Sequence, residues 1–313
     1  MKTKRILAPR ILALSTLLAN SVPVRADSMS FQPGEILVNE LVSGSVQRYS
    51  ASGSLLQTFT GSNVEWKGAS LTPDGNLATA YAESSDVVGI HIFSPSGTQI
   101  MSFATPGNGF PGDVSVFANG TLALNDQVNG TLQLWSQTGT LLQTVNLPGV
   151  SYVFGSTVGS DGILYVAGAS SSNIARVDSS GTLLGLISLN FNPGDLVMNP
   201  LDGTLWVSGY DNDSVEHIAT DGTLLGSFRA RLSSYFTGIG LAPDDNSLYV
   251  TSEFSQVVKH FDLNGNLLDS FALANPNVPW FLTVVPSPAP EPASATLLFC
   301  GFALLVTRRH RSA

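Results

Sequence analysis

The sequence predicts an all-β protein, a six-bladed β-propeller whose first blade is closed by the strand at the far end of the body. Three observations predict it. A turn motif recurs six times, as SASGSLLQTF, SPSGTQIMSF, SQTGTLLQTV, DSSGTLLGLI, ATDGTLLGSF and DLNGNLLDSF, with Gly53, Gly97, Gly139, Gly181, Gly222 and Gly265 spaced by 41 to 44 residues. A second motif precedes each copy, and its turn positions Gly34, Gly75, Gly120, Gly162, Gly203 and Asn246 are spaced by 41 to 45. The composition agrees: of 313 residues 43% are apolar and 12% charged, with 30 glycines and a single cysteine. That charged fraction is about half the usual one and suits short strands joined by tight turns. One cysteine excludes a disulfide framework and any cysteine-based zinc site.

Each element has a local reason. The turns hold Gly, or Asn in the last copy, beside Asp, Asn or Ser, as tight hairpins with positive φ require. The runs between them, such as GTLWVSG and NSLYVTS, are short, β-branched or aromatic and partly alternating. A further element, ASLTP, DVSVFA, STVGS, DLVMNP and GIGLAP, precedes the second motif. About four short strands per period is the arithmetic of a propeller blade, whereas a helical solenoid needs a 3.6-residue apolar period that is absent here. PWFLTVVP at Pro279–Pro286 starts a blade that goes no further, and GEILVNE at Gly34 starts one step into a blade. Pairing the two closes the ring and removes free sheet edges. This body, residues 31–286, resembles the six-bladed propellers of the NHL-repeat and gluconolactonase- and lyase-like group over about 255 residues. The resemblance implies the fold and no activity.

The two ends read as addresses. Residues 1–26 run from Lys2, Lys4, Arg5 and Arg10 through an apolar stretch to Val24-Arg25-Ala26, the order of a secretory signal peptide cut after Ala26. Residues 287–292 form a proline-rich linker ending in Pro290-Glu291-Pro292, and residues 293–313 are an apolar stretch closed by Arg308, Arg309, His310 and Arg311. This order resembles the PEP-CTERM sorting tail. The resemblance implies insertion of the tail in the inner membrane, an exosortase-type membrane processing enzyme as partner, and delivery to the cell envelope or extracellular polysaccharide. A plain C-terminal membrane anchor that is never cut, leaving a membrane-anchored surface protein, is the other reading of the same residues.

Eight of the 14 basic residues lie in those ends, so the body keeps six against about 22 acids, a net charge near −16. Nucleic-acid binding rests on Lys and Arg neutralising phosphates, so that class is excluded. In a propeller the glycine turns share one face. The other connections share the opposite face, and there the repeats diverge. Glu40, Glu83, Asp126, Asp211 and Glu253 follow the second strands, and Trp66, Phe110, Tyr152, Phe191, Tyr235 and Trp280 lie between blades.

Aromatics that stack on sugar rings and carboxylates that accept from hydroxyls make a ligand face, with Glu40, Glu83, Asp126, Asp211, Glu253, Trp66, Tyr152, Tyr235 and Trp280 as its residues. Alternatively the acids recur because the repeat copies them and the aromatics pack between blades. Glu65, Asp113 and Asp195 are the candidate metal ligands, for a hard cation such as Ca²⁺. His217 and His260 share one repeat position with Arg48 and Arg176, a polar strand face, so no catalytic set emerges. The expectation is a non-catalytic binding or structural module for polysaccharide or another envelope component. The alternative is a metal-dependent lactonase-, hydrolase- or lyase-like enzyme.

Overall fold

The computed structural model describes residues 30–61, 65–84, 87–105, 109–232, 235–242, 246–274 and 278–287. The predicted signal peptide with Ala26, and the tail with Pro290, Glu291, Pro292, Arg308, Arg309 and Arg311, lie outside the described residues. Among the described residues no helix is long and apolar enough to cross a membrane.

Six four-stranded antiparallel sheets make the blades. Their innermost strands are Glu65–Leu71, Pro111–Val116, Val153–Val158, Pro193–Met198, Phe236–Ala242 and Pro279–Val284. The last belongs to blade 1: Ile36 pairs with Val284 and Val38 with Leu282, so the two ends of the body close the ring as expected. Six apolar clusters lie between consecutive blades, all built from residues between Phe31 and Val285. Leu37 of blade 1 packs with Trp66 of blade 2, for example, and Tyr49 of blade 1 with Tyr249 of blade 6. Each blade is covered on both sides. Second strands such as Ile36–Glu40 and Leu164–Gly168 are therefore buried throughout, which is why they alternate only partly.

All twelve turn positions adopt positive φ, Asn246 included. The two sets need it for different reasons. At Gly75, Gly162 and Gly203 an added Cβ meets nothing within 4 Å, so only the backbone conformation demands glycine. The glycines between third and outermost strands are also pressed against the preceding blade: Gly53 on Phe271, Gly97 on Gln57, Gly139 on Phe103, Gly181 on Gln143, Gly222 on Ile187 and Gly265 on Phe228. These contacts run round the ring and close it, each within 2.3 to 3.1 Å of a built Cβ.

A second regularity was not visible in the repeat. Every innermost strand breaks register near its start, between Trp66 and Ala69, Pro111 and Val114, Val153 and Ser156, Pro193 and Leu196, and Phe236 and Gly238, and likewise opposite Val38 and Glu40. A bulge leaves backbone groups unpaired in the ladder and re-aims side chains. These six bulges shape the centre of the molecule.

Candidate functional site

The central channel holds a cavity of about 270 Å³, lined by the second halves of the innermost strands. Its half-buried rim includes Leu71, Val116, Val158 and Thr283, near the first-to-second-strand turns. Asp113 and Asp195 lie at its inner end, and both are buried. They serve the bulges. Asp113 accepts from the N–H of Val114 at 2.7 Å and, across to the next blade, from the N–H and hydroxyl of Ser156 at 3.1 and 3.2 Å. Asp195 accepts from the N–H of Leu196 at 2.8 Å and from that of Ile239 on the next blade at 3.1 Å. Each carboxylate thus ties two innermost strands that share no ladder. Burial pushes the Asp113 carboxyl up to about 7, against the lowering effect of its hydrogen bonds. Burial, then the nearby Asp113, raises Asp195 well above the usual carboxylate range.

Glu65 is elsewhere. Its half-exposed carboxylate bridges Lys67 at 3.2 Å. Among the described residues no three His, Cys, Asp or Glu side chains gather in an arrangement that could hold a metal ion. An ammonium already balances Glu65, and the oxygens of Asp113 and Asp195 are engaged by N–H and O–H donors, so these three residues do not form a Ca²⁺ cage.

On the divergent-loop face the structure brings together some of the expected residues and separates others. Trp66 is fully buried in the core between blades 1 and 2, 5.0 Å from Phe93, and belongs to packing. Glu40 is also fully buried; neither carboxylate oxygen has a hydrogen-bond partner among the described residues, and burial raises its pKa to about 7. Asp126 is buried and caps its own loop, accepting from the N–H groups of Val128 and Asn129 and from the Asn129 amide. Glu83 and Asp211 are exposed, the latter accepting from the Asn192 amide at 3.0 Å. Among the described residues no three of these acids gather in one cluster that could hold a metal ion.

Tyr152, Tyr235, Glu253 and Trp280 do converge, around residues that the repeat did not single out. Tyr210 packs 5.9 Å from Tyr152 and 5.6 Å from Tyr235, and Tyr235 lies 6.0 Å from the exposed Phe254. Phe154 underlies them, 5.8 Å from Tyr152, 5.1 Å from Tyr210 and 5.4 Å from Trp280. Tyr152 and Tyr235 stand immediately before their innermost strands with φ of 56° and 66°. For an aromatic residue that left-handed conformation costs about 1–2 kcal/mol. Blades 1, 3 and 5 begin the corresponding strands with Pro279, Pro111 and Pro193, which hold the residue before them extended. Among the described residues, blades 4 and 6 alone place a tyrosine with positive φ at this position.

The charged part of the patch is Lys67. Its side chain is 1% exposed, and Nζ lies 4.0 Å from the Phe110 ring centre and 4.8 Å from that of Trp280. Burial lowers its pKa to about 8, with Glu65 and then Glu253 pulling the other way. Glu253 is half-buried, and burial raises its pKa against the opposing charge of Lys67. Tyr210 is raised by burial and by its hydrogen-bonded neighbour Tyr152. The patch offers exposed aromatic faces, phenol donors and one carboxylate acceptor. Tyr210 and Phe254 follow second strands just as the acids do, so they were within reach of the repeat. Lys67 carried no pattern at all.

The histidines are occupied within their blades. His217 stacks on Trp206 at 4.2 Å and meets the Thr204 hydroxyl through Nε2 at 2.7 Å; His260 stacks on Tyr249 at 4.0 Å and meets Ser247 through Nε2 at 2.5 Å. His91 stacks on Tyr81 at 3.8 Å, and burial lowers its pKa to about 4. None lines the cavity.

No protein-family model matches the chain, and no curated protein is significantly similar to it. Solved structures are similar in fold. A protein of unknown function from Bacteroides caccae superposes with a TM-score of 0.64 at 12% identity, over 81% of this chain and 99% of that one. A chain of a nidogen/laminin complex gives 0.66 at 16%, over 82% and 99%. Virginiamycin B lyase from Staphylococcus aureus gives 0.59 at 14%, over 79% and 83%. At these identities the likeness is one of propeller architecture alone.

Proposed function

We propose that this protein is an exported, non-catalytic binding propeller, sorted to the envelope or extracellular matrix through its tail. Its ligand is a neutral hydroxylated polymer, in the first place a polysaccharide. One observation carries the reading: Tyr152 and Tyr235, held in a costly backbone conformation, flank Tyr210, with Phe254 packed on Tyr235 and the charge of Glu253 felt by Tyr210. Aromatic faces take the apolar faces of sugar rings, while phenols and a carboxylate take their hydroxyls. The net charge near −16 argues against polyanions.

The test is affinity electrophoresis and titration calorimetry of residues 30–287 against neutral and acidic extracellular polysaccharides. Tyr235→Ala should weaken binding at least about tenfold, equivalent to ~1.4 kcal/mol, with unfolding unchanged because the ring is 44% exposed. Binding that survives both Tyr235→Ala and Phe254→Ala sinks the proposal. Intact mass of the native protein tests the sorting step, since removal of Arg308–Arg311 is expected of an exosortase-type substrate and retention of a plain anchor.

A lyase- or hydrolase-like reading draws on the similarity to virginiamycin B lyase and on the raised carboxyls in the channel. A variant of that lyase described as catalytically inactive has a histidine replaced by alanine. In this chain the three described histidines are stacked inside their blades. Asp113 and Asp195 hold backbone, so the binding reading is preferred.

A further inference from the structure

Four innermost strands leave two residues between paired ones where they break register: Lys67 and Gly68, Gly112 and Asp113, Phe154 and Gly155, and Gly194 and Asp195. The first of each pair is glycine in blades 3 and 5, but blades 2 and 4 place a long side chain there. A bulge re-aims the side chains it carries. Phe154 lies under Tyr152 and Tyr210, and the Lys67 ammonium lies against Trp280, which packs on Phe154 at 5.4 Å.

An ammonium at this depth needs a reason. Burying one is costly, and an apolar side chain of the same length would fill the space without that cost. Lys67 is 1% exposed and pairs at 3.2 Å with Glu65, a carboxylate of its own strand that is half-exposed. The other contacts cross the molecule: Phe110 comes from blade 3 and Trp280 from blade 1, with Nζ 4.0 and 4.8 Å from their ring centres. The charge also acts on Glu253 of blade 6, and Glu253 in turn acts on Tyr210.

We infer that Lys67 is a positioning residue of the ligand face: without touching the ligand, its buried ammonium fixes the Trp280 and Phe154 floor beneath the tyrosines and supplies the positive charge that Glu253 feels. The inference rests on the polysaccharide reading of that face. Cation–π attraction holds the Trp280 ring against Nζ, and Phe154 passes that position on to Tyr152 and Tyr210. Burial raises the Glu253 carboxyl and Lys67 lowers it. With the ammonium in place Glu253 stays an acceptor for sugar hydroxyls; without it, burial favours the protonated acid, which has less to offer them.

The test uses residues 30–287, which contain every core cluster, with a soluble neutral β-glucan and dextran as probes. Lys67→Met should weaken binding at least about threefold, and Lys67→Arg, which keeps the charge and stacks on aromatic faces, should restore most of it. Combined with Glu253→Gln, Lys67→Met should lose less than the sum of the two single losses, because the ammonium acts partly through that carboxylate. Carbon NMR of the Glu253 carboxyl gives a readout without ligand: its titration midpoint should rise in Lys67→Met and stay in place in Lys67→Arg. Lys67→Gln, polar and uncharged, repeats each measurement if the methionine variant does not fold. Binding equal in wild type and Lys67→Met, a loss that Lys67→Arg does not restore, additive losses, or a Glu253 midpoint indifferent to Lys67 overturns the inference and leaves the ligand reading standing. Absence of binding to both probes, with the Glu253 midpoint still dependent on Lys67, sinks the ligand reading and the positioning role with it.

Discussion

Replacing Gly265 with alanine should cost the propeller far more than the same change at Gly75, although both positions look alike in the repeat. The two have φ of 82° and 79°, so both substitutions place an L side chain in the left-handed region. That costs about 1–2 kcal/mol, offset by about 0.4–1 kcal/mol because alanine restricts the unfolded chain. At Gly75 an added Cβ meets nothing within 4 Å, leaving a net loss of about 1 kcal/mol. At Gly265 the Cβ would fall 2.5 Å from Cβ and 2.6 Å from Cγ of Phe228 on the preceding blade. Carbon atoms prefer about 3.5–4.0 Å, so the turn or Phe228 must move by about 1 Å. Overpacking of this kind costs about 1–3 kcal/mol, for a total of about 2–4 kcal/mol. Urea unfolding of residues 30–287, followed by fluorescence and far-ultraviolet dichroism, measures both as shifts in midpoint at unchanged slope. Equal losses at the two positions would refute the claim that the third-to-outermost turns are locked by the neighbouring blade.

Two further outcomes follow from the buried acids. Asp113→Ala leaves the N–H groups of Val114 and Ser156 without their acceptor inside the ring, and should cost about 1–3 kcal/mol for each group stranded, read as a lowered urea midpoint; an unchanged midpoint would mean that the staple is dispensable. Glu40→Gln tests the pH dependence. The folded-state pKa of Glu40 is raised from 4.5 to about 7, so its contribution is fully present below about 4.5 and is lost as pH rises through 7. The wild type should therefore lose stability relative to the Gln variant between those values, on the order of 1–3 kcal/mol, and parallel stability–pH curves would show that Glu40 reaches water.

Much of the ring was legible because its determinants are local. A turn that needs φ above zero writes Gly or Asn into the chain at that point, whatever packs around it, so all twelve turn positions and the closure by Pro279–Val284 could be located from spacing. The site was less legible because identical repeat positions meet different neighbours. The acids after the second strands show it: Asp126 caps its own loop, Glu40 is buried, Glu83 is exposed, Asp211 binds an amide and Glu253 faces a lysine from another blade. Lys67 is the extreme case, since the Glu65, Phe110 and Trp280 that define it come from three blades and no spacing rule joins them.

Asp113 and Asp195 argue the same point from the other side. They look like channel ligands by position, and they do line the cavity, but a register break at each strand start strands N–H groups that these carboxylates then satisfy. The bulge that creates the need for an acceptor is a property of strand pairing, which a single chain does not spell out. Residues fixed by backbone conformation are thus readable one at a time, and residues fixed by a partner blade become readable only once the ring is closed. That division falls between scaffold and surface here. The glycine-turn face is uniform because every copy answers the same local demand, whereas Tyr152 and Tyr235 break the repeat and take up a left-handed backbone conformation. Backbone strain of this kind clusters at binding sites, and it supports the proposal that the ligand face is the tyrosine patch.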